Sequence, residues 1–292
     1  MNPPQRGEGD TMPLKLMYIT NNPEVARIAE EAGVERIFVD MEYIGKSDRQ
    51  GGMDTVQSRH TPADAALLRS SLKRAELLVR CNPIHEATES YGSSTDELNA
   101  IIEAGADVIM LPYFKTAEEV RTFLRLVGGR ARTMLLFETP EAVAAVEEIL
   151  SLEGIDEVFV GLNDLSLGYG MKFMFRLVAD GTVERLCHLF ADRGLPYGFG
   201  GIAALGKGML PSEYVIKEHY RVGSTCAILA RSFCNTQIIT DLPEIRRIFN
   251  DGLRDIRAYE ETCRATPETW ESNRRELCEI VSRIEEGMTA RK

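Results

Sequence analysis

Short apolar runs, many of them β-branched, recur along this chain, and most are followed by stretches whose apolar positions return every three or four residues. The short runs predict strands at 14–19, 36–42, 77–81, 108–112, 133–138, 157–161, 197–201 and 226–230. The helical spacing predicts helices over Pro23–Ala32, 62–75, 95–104, 117–126 and 140–150. Asn22, Thr61, Thr116 and Thr139 each stand just before a first turn, three of them followed by proline, as N-caps do. Gly33 and Gly105 stand where helices should stop.

Eight strands alternating with helices imply parallel pairing with right-handed crossovers. Two architectures satisfy that pattern, an open doubly wound sheet and a closed (β/α)8 TIM barrel. The strand count of eight and the absence of G-x-G-x-x-G after the first strand favour the barrel. The glycine-rich Gly198-Phe199-Gly200-Gly201 comes late in the chain and is a weak nucleotide loop. Residues 13–240 are expected to form the barrel, preceded by a frayed arm at 1–12. Residues 241–292 are expected to form one or two long charged helices. This C-terminal extension exceeds what an eighth barrel helix needs, so it is either a packing arm for a second subunit or a solvated helix.

Composition narrows the classes. A 292-residue chain with 44% apolar and 27% charged residues can bury one large core. Its formal net charge of −11 argues against nucleic acid and anionic membranes as partners, but not against a small anion held by a local arginine. The N-terminus lacks the apolar core of a signal peptide, and no apolar run reaches membrane-spanning length. Six cysteines without C-x-x-C spacing read as reduced thiols, which points to the cytoplasm.

In a (β/α)8 barrel the C-terminal ends of the strands converge on the active-site face. Those ends carry Asp40, Met41, Glu42 and Tyr43 after strand two, Arg80 after strand three, Glu138 after strand five, and Asn163, Asp164 and Leu165 after strand six. Glu138 and Asp164 lie one βα repeat apart, which would put them on neighbouring strands about 5 Å apart. Two such carboxylates repel unless a cation or shared proton intervenes, and hard oxygen donors suit Mg²⁺ or Mn²⁺. The alternative reading makes Asp164 a helix N-cap and Glu138 a first-turn acid. Arg80 reads either as an anion clamp or as half of a structural ion pair. Free backbone N–H groups over Asn163–Leu165 would suit a carboxylate.

These segments, taken in order, resemble the class II pyruvate-dependent aldolase and citrate lyase β family (HpcH/HpaI). The likeness rests on Val39-Asp40-Met41-Glu42, Leu78-Val79-Arg80, the Ala104-Gly105-Ala106-Asp107 to Leu111-Pro112 block, Phe137-Glu138-Thr139, and Gly161-Leu162-Asn163-Asp164-Leu165-Ser166. It implies a phosphoenolpyruvate/pyruvate-type barrel, commonly a homo-oligomer. One divalent cation would sit on Glu138 and Asp164 and chelate a 2-oxo acid, and Arg80 would stabilise the enolate left when a carbon–carbon bond breaks. Asp40 and Glu42 would hold metal-bound water or orient Arg80, and Tyr43 would face the substrate.

One departure stands out. Many relatives read D-x-E-H after strand two, with the histidine as acid–base, whereas this chain has Tyr43 there. A tyrosine near its usual pKa of about 10 is a poor base at neutral pH. The segment 44–60 is long for a βα loop and carries basic residues and a double glycine, as a lid over an anionic or polyhydroxylated substrate would. His60, or a metal-bound water, is the expected replacement base; a surface position at a helix start is its plainer role. His85 and Glu86 lie near the same face. His188 reads as a packed helix residue and His219 as a helix surface residue.

The leading expectation is a metal-dependent lyase making or breaking the bond between a 2-oxo acid and an aldehyde, with a sugar-like aldehyde favoured by the long basic loop. Two rivals stand beside it: a lyase or thioesterase acting on acyl-CoA, and an inactive barrel serving as a binding or assembly subunit.

Overall fold

Side-chain caps set several of the helix starts. Asn22 Oδ1 accepts the amide protons of Glu24 and Val25, and Gly33, at φ 110°, ends that first helix in the left-handed conformation. Thr61 with Asp64, Ser93 with Asp96, and Thr116 with Glu119 form reciprocal capping boxes at three more. The structure, a computed structural model, describes residues 12–46 and 60–290. Residues 47–59 of the expected lid and almost all of the expected N-terminal arm lie outside the described residues.

In chain order the elements are β1 (Lys15–Ile19), α1 (Pro23–Ala32), β2 (Arg36–Asp40), α2 (Pro62–Ser71), β3 (Glu76–Arg80), α3 (Ser94–Glu103), β4 (Val108–Leu111), α4 (Ala117–Val127) and β5 (Arg132–Phe137). They continue with α5 (Pro140–Ala144), α6 (Val146–Ile149), β6 (Glu157–Val160), α7 (Leu162–Gly168), α8 (Arg176–Ala179), α9 (Thr182–Asp192), β7 (Tyr197–Ile202), α10 (Ser212–Arg221) and β8 (Cys226–Leu229). Two long helices follow, α11 (Leu242–Ala265) and α12 (Trp270–Ala290), joined by a 3₁₀ turn at Pro267–Thr269. The eight strands pair in sequence order as a closed barrel, the expected (β/α)8 fold. β2, β4 and β6 are buried at every position, which is why they read as continuous apolar runs.

Two details depart from the sequence pattern. The helix expected over 140–150 breaks at Ala145, which leaves helical geometry at ψ 13° and separates α5 from α6. The glycine-rich Gly198–Gly201 is not a nucleotide loop but the middle of β7, where the pairing with β8 slips. Gly200 there has φ 53°, and a Cβ would come within 2.7 Å of Leu162 Cδ1, so only glycine fits.

The described chain divides into two compact units. Within Met17–Phe159, charged residues that open four strands form one network. Arg36, with no exposed surface, donates to Glu76 at 2.7 Å and Glu157 at 2.8 Å, and Arg132 donates to the same two carboxylates at 2.6 and 3.1 Å. Two cations against two anions, each bridged twice, meet the condition under which charges tolerate burial.

The other unit comprises Met1–Leu16 and Val160–Lys292. Its α11 grips the chain at Leu14: Glu260 Oε1 accepts the Leu14 N–H at 2.8 Å and Arg257 donates to the Leu14 carbonyl at 2.9 Å. Helix α12 packs on the chain's own α8 and α10, with Arg176 paired to Glu285 and Asn273 Nδ2 donating to the Tyr214 carbonyl at 3.1 Å. The structure corrects the reading of His219. It is wholly buried, stacked on Phe199 with ring centroids 3.9 Å apart, and Nδ1 lies 2.8 Å from Ser224 Oγ. Burial alone pushes its pKa down to about 3, so it is a neutral core residue. His188, half-buried on α9, is a packed helix residue as expected. The six cysteines are free thiols, five of them buried. No described helix is long and apolar enough to cross a membrane.

Candidate active site

Parallel register builds the core of the site. Asp40, last in β2, is the register partner of Arg80, last in β3, so their side chains leave the sheet side by side. Arg80 Nε donates to Asp40 Oδ1 at 2.9 Å and Nη2 to Oδ2 at 2.8 Å, a two-point fork-to-carboxylate pair. Glu42 Oε2 lies 3.3 Å from Arg80 Nη1, and the Glu42 amide donates to Asp40 Oδ1 at 3.2 Å. Burial alone would raise the Asp40 pKa, but Arg80 and Lys46 overcome it and hold the carboxyl well below the usual range. Burial works against the Arg80 charge as well; Asp40, Glu42 and Glu138 outweigh it and keep the guanidinium protonated. Of the two roles given to Asp40 and Glu42 from the sequence, these contacts match the orienting of Arg80.

Lys46 completes the cluster. Its ammonium lies 2.9 Å from Asp40 Oδ2 and 3.4 Å from Glu42 Oε2. From the sequence this lysine counts among the basic residues of the expected lid, and its place between Asp40 and Glu42 leaves no trace in that pattern.

A second missed pair fixes the turn after β2. Asn82 Oδ1 accepts the amide protons of Tyr43 and Ile44, both at 2.9 Å, while its Nδ2 donates to Glu97 at 2.8 Å and to the Met41 carbonyl at 3.3 Å. The Asn82 side chain thus makes four hydrogen bonds, three to that turn and one to Glu97 of α3. Burial raises the pKa of Glu97. Tyr43 itself is 51% exposed and meets Tyr91 edge to face at 6.3 Å. Burial, Glu97 and Tyr91 all raise its pKa, which makes it a still poorer base.

His60 is held differently from the expectation. Its Nδ1 accepts the Asp40 amide proton at 3.0 Å, so the neutral ring carries its own proton on Nε2. Burial lowers its pKa against the opposing pull of Asp40 and Asp64. The nitrogen that would take up a proton is already occupied, which argues against His60 as the replacement base. His85 is engaged in its own loop, with Nδ1 2.8 Å from the Pro83 carbonyl and Nε2 3.0 Å from that of Gly92.

Glu138 follows β5 and is 4% exposed. Its Oε1 accepts the amide proton of Tyr113 at 3.0 Å, and Tyr113 adopts φ 49°, the one described non-glycine residue in the left-handed region. Asp164 lies in the first turn of α7, 8% exposed, with Asn163 Nδ2 donating to its Oδ1 at 3.2 Å. It is not the N-cap, which is Gly161. The expected amide cradle is shorter by one group, since the Leu165 N–H donates to the Gly161 carbonyl at 3.2 Å. Glu138 and Asp164 are each buried carboxylates, the hard-oxygen type of donor. Among the described residues no group of three or more His, Cys, Asp or Glu side chains is placed to hold a metal.

Solved structures share this barrel fold. The crystal structure of an HpcH/HpaI aldolase from Desulfitobacterium hafniense superposes with a TM-score of 0.56, covering 74% of this chain and 86% of that one. Their 18% identity lets that likeness speak for the fold alone. The family model HpcH/HpaI aldolase/citrate lyase matches residues 15–174, more than half of the chain, and the chain belongs to that family. A hydroxypyruvate/pyruvate aldolase of Sagittula stellata is 28% identical over 40% of this chain; the match spans about half of that protein, 55%. A 4-hydroxy-4-methyl-2-oxoglutarate aldolase of Chaetomium globosum is 23% identical over 62% of this chain and 72% of that protein.

Proposed function

We propose that this protein is a divalent-metal-dependent aldolase that makes or breaks a carbon–carbon bond next to a 2-oxo acid such as pyruvate. The observation that carries the reading is Arg80, a cation locked at two points on Asp40 at the C-terminal ends of β2 and β3. A guanidinium fixed in this way needs no reorganisation when negative charge grows on a ketone oxygen, which is the requirement for stabilising an enolate. The relatives named as aldolases of hydroxypyruvate, pyruvate and a 2-oxoglutarate derivative supply the substrate class.

Glu138 and Asp164 are the residues we assign to the cation, Mg²⁺ or Mn²⁺, which when bound supplies Lewis acidity to the ketone. Tyr113 fixes Glu138 through its backbone amide. The amides of Asn163 and Asp164, in the first turn of α7, are assigned to the substrate carboxylate. Asp40 and Glu42 hold the Arg80 fork in place. The proton on the departing aldehyde's hydroxyl is left to water, since Tyr43 is too weak a base and Nδ1 of His60 is occupied. The aldehyde partner would enter beside Tyr43. We further propose that the outer faces of α11 and α12 mediate homo-oligomer contacts.

Mn²⁺ titration by calorimetry tests the assignment. The wild type should bind one ion per chain, and Glu138→Gln and Asp164→Asn should each weaken binding by about tenfold or more. A wild type that binds no divalent ion would overturn it.

A further inference from the structure

Residues 81–93 join β3 to α3, a span well beyond the about 2–6 residues usual for a βα loop. The loop leaves the strand end that carries Arg80, on the active-site face, and its tip turns back on itself, the Thr88 N–H donating to the Tyr91 carbonyl at 2.9 Å. Three rings stand in a row there. Tyr91 meets His85 edge to face at 5.2 Å and Tyr43, from the turn after β2, at 6.3 Å. Neither phenol hydroxyl has a hydrogen-bond partner among the described residues. Tyrosines held in this way offer ring surface and a free hydroxyl to a ligand with little left to immobilise.

His85 fixes the row. Its Nδ1 lies 2.8 Å from the Pro83 carbonyl and its Nε2 3.0 Å from the Gly92 carbonyl, so the ring spans the loop from one side to the other. Only a ring protonated on both nitrogens can donate to both oxygens; a neutral ring turns a lone pair toward one of them. Ser94 Oγ, 3.1 Å from Nδ1, can donate to a neutral ring, but the Pro83 carbonyl then faces an unprotonated nitrogen. The titratable groups around the ring are Glu97 and Asp96 on α3, Tyr91, Glu86 and Glu89 on its own loop, and Tyr43 beyond Tyr91. Glu97 is acted on by the His85 charge, Asp96 is engaged in the Ser93 capping box, and Glu86 and Glu89 are exposed.

We propose that Tyr91 is a specificity-determining residue that walls the aldehyde subsite together with Tyr43, and that His85, bridging two carbonyls as the imidazolium, is the positioning residue that holds it there. This inference rests on the function proposed above, in which the aldehyde enters beside Tyr43. The wall selects the partner by its chemistry. Ring faces take C–H groups and free phenols take hydroxyls, a pattern that suits a polyhydroxylated aldehyde over a short alkyl one.

Steady-state kinetics of aldol addition to pyruvate tests this on the full chain with Mn²⁺, with D-erythrose and acetaldehyde as the two probes. Tyr91→Ala should raise the KM for D-erythrose about tenfold or more with kcat within about threefold, and leave the KM for acetaldehyde within about twofold. Should that variant fail to fold, Tyr91→Leu, which keeps most of the side-chain bulk, should show the same selective loss. Histidine ordinarily loses its charge between about pH 5 and 8, so the wild-type KM for D-erythrose should climb as pH rises through that range. His85→Ala should hold the high value throughout. Pyruvate methyl-proton exchange needs no aldehyde, and its rate should stay within about threefold of wild type in every variant. The inference is overturned if the Tyr91 variants raise both KM values alike, as a collapsed loop would, if neither KM moves, or if the wild-type KM for D-erythrose ignores pH. A wild type that exchanges pyruvate protons yet handles the two aldehydes equally also overturns it and leaves the proposed function standing. A wild type that exchanges none sinks that function, and this inference with it.

Discussion

Arg80 and Asp40 are register partners on adjacent strands and meet through two parallel hydrogen bonds, Nε to Oδ1 at 2.9 Å and Nη2 to Oδ2 at 2.8 Å. Breaking a buried pair from one side strands the other charge. Asp40→Asn is therefore expected to cost about 3–5 kcal/mol of stability, measured by urea unfolding. It should also lower kcat/KM by about a hundredfold or more, through the loss of Arg80 orientation.

The same pair sets a pH dependence. The folded-state pKa of Asp40 lies well below the ordinary 3.8, so its stabilisation is complete above that value and is lost as pH falls below it. Acid unfolding of the wild type should show this component below about pH 4, and Asp40→Asn should lack it. An unchanged slope in the variant would contradict the assignment.

His60 gives the opposite test of mechanism. Loss of a true general base costs about 10²–10⁴-fold in rate, whereas His60→Gln is expected to lose less than about tenfold. Its depressed pKa adds stability that is present above 6.5 and declines as pH falls below that value. A hundredfold loss of kcat in the glutamine variant would restore His60 as the base.

Asn82 holds the turn that carries Tyr43 and leads to Lys46. Asn82→Ala removes the side-chain acceptor of the Tyr43 and Ile44 amide protons and one of the donors to Glu97, and should cost about 1–3 kcal/mol together with a rise in the KM for the 2-oxo acid. Tyr43→Phe, at an exposed position, should change kcat by less than about threefold.

Far from this cluster, Arg36→Met tests the ionic network at the strand starts. It should destabilise the fold by about 3–5 kcal/mol while leaving kcat of the folded protein unchanged.

Much of this was legible from the sequence, because a strand's apolar period and its terminal polar residue are local signals. Asp40, Arg80, Glu138 and Asp164 were found as strand ends, and the structure puts each within four residues of one. What the period cannot show is which side chains fold back. Lys46 turns in toward Asp40 from outside any strand, and Asn82 reaches across to the backbone of Tyr43. His219 sits in Lys217-Glu218-His219-Tyr220-Arg221, polar enough to read as surface, yet its ring stacks on Phe199 of β7, a contact set by tertiary packing. The network of Arg36, Glu76, Arg132 and Glu157 was not legible: Glu76 and Arg132 stand just before the strands expected at 77–81 and 133–138, and the pairing follows from three-dimensional packing alone.

Exchange of the pyruvate methyl protons in D₂O, followed by proton NMR, measures enolate formation without any aldehyde. Wild-type protein with Mg²⁺ or Mn²⁺ should catalyse the exchange, chelator should stop it, and Arg80→Met should slow it by about a hundredfold or more. Failure of the wild type to exchange those protons with either ion would contradict the account.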